Sequence, residues 1–386
     1  MRTALAALAI TLLAACGQPT PLASRSPATS NAAGASAFPS PNEASATPSL
    51  TSPSAAAQSP SPSPAASPTL TPPAPKPRAL AAVTYDSDRS ELVIFGGQGP
   101  PTATSAFEYL GDTWTWSSAG WKQASVTGPS PRFAATMAYD SSHHVVVLFG
   151  GLPGYDVSSE TWTWDGKLWT QQHPATSPPQ RQDASMVYDA GHQLVVLFGG
   201  QTMPSAASSP QLNDTWVWDG VNWKQLHPAT SPSPRVFASM AYDSARAKVV
   251  LFGGSSGQGQ VYDGGYADTW VWDGANWTKV SSATNPTPRS EASMAYDSAH
   301  GQVVLFGGVS GTGSQYGVLN DTWSWDGTKW TGQQPSTPPS ARLGSAMDFD
   351  AATKEVVLFG GMAFQPPDQV LADTWLWNGN AWTEQS

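Results

Sequence analysis

The chain has 386 residues, a formal net charge of −10, 35 prolines, 35 glycines, 18 tryptophans and one cysteine. Residues 77–386 carry 15 Lys+Arg against 27 Asp+Glu, a net charge of −12 with no basic stripe. That balance argues against nucleic acid as a partner and against electrostatic attachment to anionic lipid, and a single cysteine excludes an intramolecular disulfide.

The chain begins MRTALAALAITLLAAC, with one charge at Arg2 and an apolar run from Ala4 to Ala15. This is a signal-peptide pattern, too short for a permanent spanning helix. Its end, LAAC at 13–16, resembles the lipobox of bacterial lipoproteins. The resemblance implies lipidation of Cys16 at a new N-terminus. It also implies an extracytoplasmic, membrane-anchored protein of the bacterial cell envelope, held by its lipid alone. A single acyl chain binds membranes only marginally, so several would be needed. An ordinary secretory signal containing a cysteine is the alternative. Residues 17–76 follow, mostly Pro, Ser, Ala and Thr, with Glu43, Arg25 and Lys76 as the charges. Such a segment has little to bury, and it reads as a disordered tether reaching up to about 3 Å per residue.

From residue 77 onwards the chain repeats. Glycine pairs begin at Gly96, Gly150, Gly199, Gly253, Gly307 and Gly360, each after a phenylalanine. An arginine (Arg78, Arg132, Arg181, Arg235, Arg289, Arg342) stands eight residues before an aspartate (Asp86, Asp140, Asp189, Asp243, Asp297, Asp350). Each unit predicts four short strands. The first is small and apolar, as in FASMAY. The second is apolar throughout, as in VVLF. The third alternates, as in DTWVW, and the fourth starts at a third tryptophan. Turn formers such as DSARA separate them. Four strands in about 50 residues, six times over, predict an all-β fold: a six-bladed β-propeller of four-stranded antiparallel blades over 77–386.

The units resemble those of Kelch-repeat β-propellers, the central domain of galactose oxidase among them. The apolar run ending in a glycine pair and the downstream tryptophan carry the likeness, although Kelch units usually have tyrosine where this chain has the first tryptophan of Trp-x-Trp. The resemblance implies that the first strand lies nearest the axis. Ring closure stays open between simple packing of the first and last blades and an edge strand from residues just before Pro77.

All 18 tryptophans fall at three places per unit. In a strand, residues i and i+2 share a face, so Trp216 and Trp218 point the same way, into the gap between blades, and Trp223 joins from the outer strand. One ligand does not need the same residue six times around a ring. The tryptophans are therefore assigned to packing, each worth roughly 4–6 kcal/mol by area as an upper figure.

Strand order puts the variable stretches 98–111, 152–159, 201–213, 255–267, 309–320 and 362–372 on one face. Five of the ten tyrosines belong to the repeat's Tyr-Asp; the other five, Tyr109, Tyr155, Tyr262, Tyr266 and Tyr316, stand in these stretches, with Phe107 and Phe364. Aromatics amid Gly and Ser on rigid loops suit recognition, and pinning of their own loops is the other reading. The six arginines lie on the same face, where they would hold an anionic ligand at the channel mouth or pair with Asp112, Glu160, Asp214, Asp268, Asp321 and Asp373. The pairing is the stronger of the two.

No metal cluster, nucleophile elbow or phosphate loop is present, and no cofactor is called for. The copper oxidases of the Kelch type use a tyrosine joined to a cysteine, and this chain's one cysteine, Cys16, is committed to the N-terminal motif; the sialic-acid mutarotases are another such group, without a matching site here. Two functions follow as expectations. One is a monomeric, surface-displayed module binding a glycan or protein through the variable loops. The alternative is a carbohydrate-active, mutarotase-like enzyme using the channel. The enzyme would need an acid or base that breaks the repeat and faces the channel, and the variable loops offer Glu108, Asp156, Asp263 and Asp368.

Overall fold

The computed structural model describes residues 74–154, 156–202, 210–257, 265–311, 316–364 and 369–385. The expected signal peptide, the expected lipidation site Cys16 and nearly all of the expected tether lie outside the described residues. The described chain is all β-strand and turn: six four-stranded antiparallel sheets, each in sequence order from first strand to fourth. The first blade comprises Ala82–Asp86, Glu91–Gln98, Tyr109–Ser117 and Gly120–Ala124. The innermost strands of the others are Thr136–Asp140, Ser185–Asp189, Ser239–Asp243, Ser293–Asp297 and Ala346–Asp350. These six neighbour one another around a closed ring and line an axial cavity of about 530 Å³.

The second strand of each blade is buried on both faces, as its unbroken apolar run requires; Val249, Val250, Leu251 and Phe252 are almost without exposure. The glycine pair that follows has a steric cause. Gly253 and Gly254 have φ of 70° and 93°. A Cβ on Gly253 would stand 2.6 Å from the Arg289 carbonyl oxygen of the next blade, and one on Gly254 2.8 Å from the Val236 carbonyl oxygen. The close approach lets the Gly254 N–H donate to that Arg289 carbonyl at 2.9 Å. The same bond recurs in all six blades.

The three tryptophans of each blade share a face and pack on the preceding blade. Trp216, Trp218 and Trp223 meet Ala138, Val147 and Phe149 of the second blade. The first indole N–H of a blade donates to its own acid, as Trp216 does to Asp214 at 2.7 Å. The third reaches back across the gap: Trp223 donates to Thr161 at 2.9 Å, with its ring 5.2 Å from that of Phe149.

The ring closes by the same contacts. Trp121, Trp114, Leu92 and Ile94 of the first blade pack on Ala346, Val357 and Phe359 of the sixth. The Arg78 N–H donates to Leu371 at 3.0 Å, and Gly361 donates back to Arg78 at 2.8 Å. The sixth blade's outer strand, Trp382–Gln385, pairs only with the sixth blade's own third strand. Of the two modes of closure open in the sequence, packing of the first and last blades is the one found among the described residues.

Candidate functional site

The loop-bearing end of the propeller is organised by the segment entering each first strand. Two residues after each arginine stand Leu80, Ala134, Asp183, Phe237, Glu291 and Gly344. All six have left-handed φ, from 54° at Leu80 to 62° at Gly344. Five are not glycine, and each pays for that conformation in backbone strain. A closed circle of backbone hydrogen bonds holds them there. Ala134 donates to Leu80, Asp183 to Ala134, Phe237 to Asp183, Glu291 to Phe237, Gly344 to Glu291 and Leu80 to Gly344, at 2.8–3.2 Å. These residues line a cavity of about 140 Å³ at the mouth of the axial channel.

Four of the six positions are apolar or glycine; Asp183 and Glu291 are acids. Asp183 Oδ2 accepts the side-chain amides of Gln182 and Gln201, both at 2.9 Å. These two glutamines pair with each other through a backbone bridge whose counterparts in other blades include Phe133–Leu152 and Leu343–Met362. In the third blade alone both members of that bridge are polar. Glu291 is 8% exposed, and its carboxyl accepts no hydrogen bond from any described residue. Burial pushes the Asp183 carboxyl up to about 7, against the two amide donors. Burial, and then the charge of Asp183, push Glu291 up to about 8.

The sequence candidates fall out differently. The six arginine side chains are fully buried, and none lines the axial cavity or its mouth. Each guanidinium is spent within its own blade. Arg289 donates to the Thr287 and Gly307 carbonyls, to Thr287 Oγ1, and to both Asp321 oxygens at 2.7 and 2.8 Å. Arg78, Arg132, Arg181, Arg235 and Arg342 repeat the pattern with Asp112, Glu160, Asp214, Asp268 and Asp373. Burial alone would raise these carboxyls, but hydrogen bonds and charge from the arginine hold Asp112, Glu160, Asp268, Asp321 and Asp373 below the usual range. An inward ring of arginines open to an anionic ligand is not what the geometry contains.

Among the loop aromatics, Phe107 and Tyr109 form a half-buried cluster with Phe133, ring centroids 5.1–5.5 Å apart, and the Tyr109 hydroxyl donates to the Gly154 carbonyl at 2.7 Å. They pin the first blade's loop to the second. Tyr266 stacks under the Arg235 guanidinium at 4.2 Å. Tyr316 and Phe364 meet edge to face at 6.1 Å, joining the loops of the fifth and sixth blades. Tyr155 and Tyr262 lie outside the described residues, as do Asp263 and Asp368. Glu108 pairs with Lys76 at 2.9 Å, and Asp156 is exposed.

The acids at the channel mouth are thus Asp183 and Glu291, and Asp348 lines the axial cavity itself; none of the three was among the candidates. The signal of the first two was present. Counted from the arginine, the second residue runs Leu, Ala, Asp, Phe, Glu, Gly. QDASMVY and SEASMAY read as small-residue strands conceal it.

Residues 63–219 match the family model described as the KLHDC2/KLHL20/DRC7 Kelch-repeats domain. The solved structure of YjhT is similar in fold: 15% identity, a TM-score of 0.60, and coverage of 82% of this chain and 99% of that chain.

Proposed function

We propose that this protein is a lipid-anchored, extracytoplasmic binding module that recognises a glycan or protein through the variable-loop end of its propeller. One observation carries the reading. The largest departures from six-fold repetition are at that end, where loops of differing length carry half-buried aromatics. Variable loops on a rigid ring are the usual seat of recognition. The matched Kelch-repeat model favours a binding role, and the LAAC motif supports the anchor. The purified full chain is applied to glycan and surface-protein arrays, with Tyr316→Ala and Phe364→Ala as variants. A hit lost in both, with the near-UV spectrum intact, supports the loop face; a hit untouched by both moves the site elsewhere. Labelling with an alkyne fatty acid, lost in Cys16→Ser, tests the anchor separately.

A second reading, a sugar-transforming enzyme, is favoured by the Asp183–Glu291 pair. Two carboxyls that hold protons near neutrality in one cavity can serve as acid and base. Sugar turnover by the full chain, abolished in Asp183→Asn and Glu291→Gln, would displace the binding reading.

A further inference from the structure

The axial mouth has a chemistry that neither loop recognition nor the scaffold uses. Asp183 Oδ1 and both oxygens of Glu291 accept no hydrogen bond from any described residue, whereas Asp183 Oδ2 is taken up by Gln182 and Gln201. The remaining members of the ring, Leu80, Ala134, Phe237 and Gly344, bring neither charge nor side-chain donor. The nearby arginines Arg181, Arg235 and Arg289 are bound to their own acids. Two buried acids therefore face one cavity with no counter-charge from the described chain. A buried charge without a partner is costly, and such a site favours whatever supplies one.

We propose that the axial mouth binds a primary alkylammonium group, its three N–H donors meeting Asp183 Oδ1 and the two oxygens of Glu291, its stem against Leu80, Ala134 and Phe237. The numbers of donors and acceptors match. A volume of about 140 Å³ is several times the roughly 30 Å³ share of one water, enough for an ammonium head and a short stem. The Phe237 ring on the cavity wall suits a cation, and the negative balance of the whole domain draws cations towards it. A hard divalent ion fits less well. It asks for six or more oxygens, and the six ring carbonyls are spent on the ring's own hydrogen bonds.

Because burial keeps protons on both acids up to about 7 and 8, the ammonium must displace them. Binding therefore tightens as pH rises from 6 to 8.5 and releases protons. The proposal rests on the mouth and not on the loop-face reading, and its test turns on no loop aromatic.

The experiment is calorimetric titration of the full chain in detergent with n-butylamine, its neutral isostere n-butanol, and calcium chloride. Butylamine is expected to bind at pH 8.5, at least tenfold more weakly at pH 6, with a heat that varies with the buffer's ionisation enthalpy. Asp183→Asn and Glu291→Gln should each weaken binding at least tenfold. Glu108→Gln, which removes a half-buried, Lys76-paired acid of a loop at the same end, should not change it. The two neutral substitutions mimic the protonated acids, so the fold is expected to hold, and near-UV circular dichroism checks this. Equal binding of butanol, tighter binding of calcium than of butylamine, amine binding that survives the double variant, or no amine binding at all would each overturn the proposal.

Discussion

The indole N–H of Trp121 donates to the hydroxyl of Thr374 at 3.0 Å, joining the outer strand of the first blade to the third strand of the last. Five other junctions carry the same bond, from Trp169 to Thr113 through Trp382 to Thr322, at 2.8–3.0 Å. Only at the Trp121–Thr374 seam is no chain connection present beside it. Thr374→Val keeps the shape and strands a buried donor, at about 1–3 kcal/mol. Thr161→Val strands Trp223 in the same way within the continuous chain. Both should lower the denaturant midpoint by similar amounts. Only Thr374→Val should also speed amide exchange in the first and sixth blades; equal exchange in both variants would mean that the seam is no weaker than other junctions.

A second seam contact titrates. Asp348 stands where other first strands have Ala, Val or Thr, and its Oδ2 accepts the Tyr85 N–H at 2.8 Å. Burial pushes its carboxyl up to about 6, against the N–H donors of Phe349 and Tyr85. A raised folded value means that the protonated form is favoured in the fold. Its contribution to stability is complete below about pH 4 and is lost as pH rises through about 6. Asp348→Asn retains an acceptor for Tyr85 without the charge. The span from 3.8 to about 6 corresponds to roughly 3 kcal/mol at most. The variant should gain on the parent between pH 4 and pH 8 by up to that amount in urea unfolding. Asp183 and Glu291 titrate in both proteins and drop out of the difference. A gap that stays constant with pH would show that Asp348 is not the titrating latch.

The fold was legible because six copies each encode the same local solution. The buried second strand, the glycine pair beneath a neighbour's arginine carbonyl and the three tryptophans are all fixed by short-range pattern, and averaging over copies sharpens them. Asp183 and Glu291 were not legible for the same reason. They are single departures within a segment whose average is small and apolar. Their orientation depends on a circle of hydrogen bonds from Leu80 to Gly344 that no one repeat contains. The arginines show the converse: their partners were readable from offset alone, whereas their burial needed the coordinates.

The opposite end of the barrel offers the last test. Three residues after the repeat's aspartate stand Arg89, His143, His192, Arg246 and His300, each bonded to the second oxygen of that buried carboxylate at 2.6–2.8 Å. The sixth blade has Thr353 there, and both Asp350 Oδ2 and Thr353 Oγ1 are buried without a partner among the described residues. The facing turns differ in step. Gly166, Gly220, Gly274, Gly327 and Gly379 lie where a Cβ would meet that arginine or histidine side chain of the preceding blade at 2.0–2.4 Å, whereas the first blade's turn, Ser118 and Ala119, has no glycine at that place. Thr353→Arg should restore the missing partner to Asp350. Arg89 is about a third exposed, so solvent screening limits the gain to about 1 kcal/mol. Replacing residues 117–120 by the Asp-Gly-Lys-Leu of 165–168 alongside Thr353→Arg should add to it, because the arginine could then also reach a turn carbonyl as Arg89 reaches that of Asp165. Thermal unfolding at pH 7 reads both variants. If Thr353→Arg unfolds at the parental temperature or below, the empty place beside Asp350 is not a vacancy for charge.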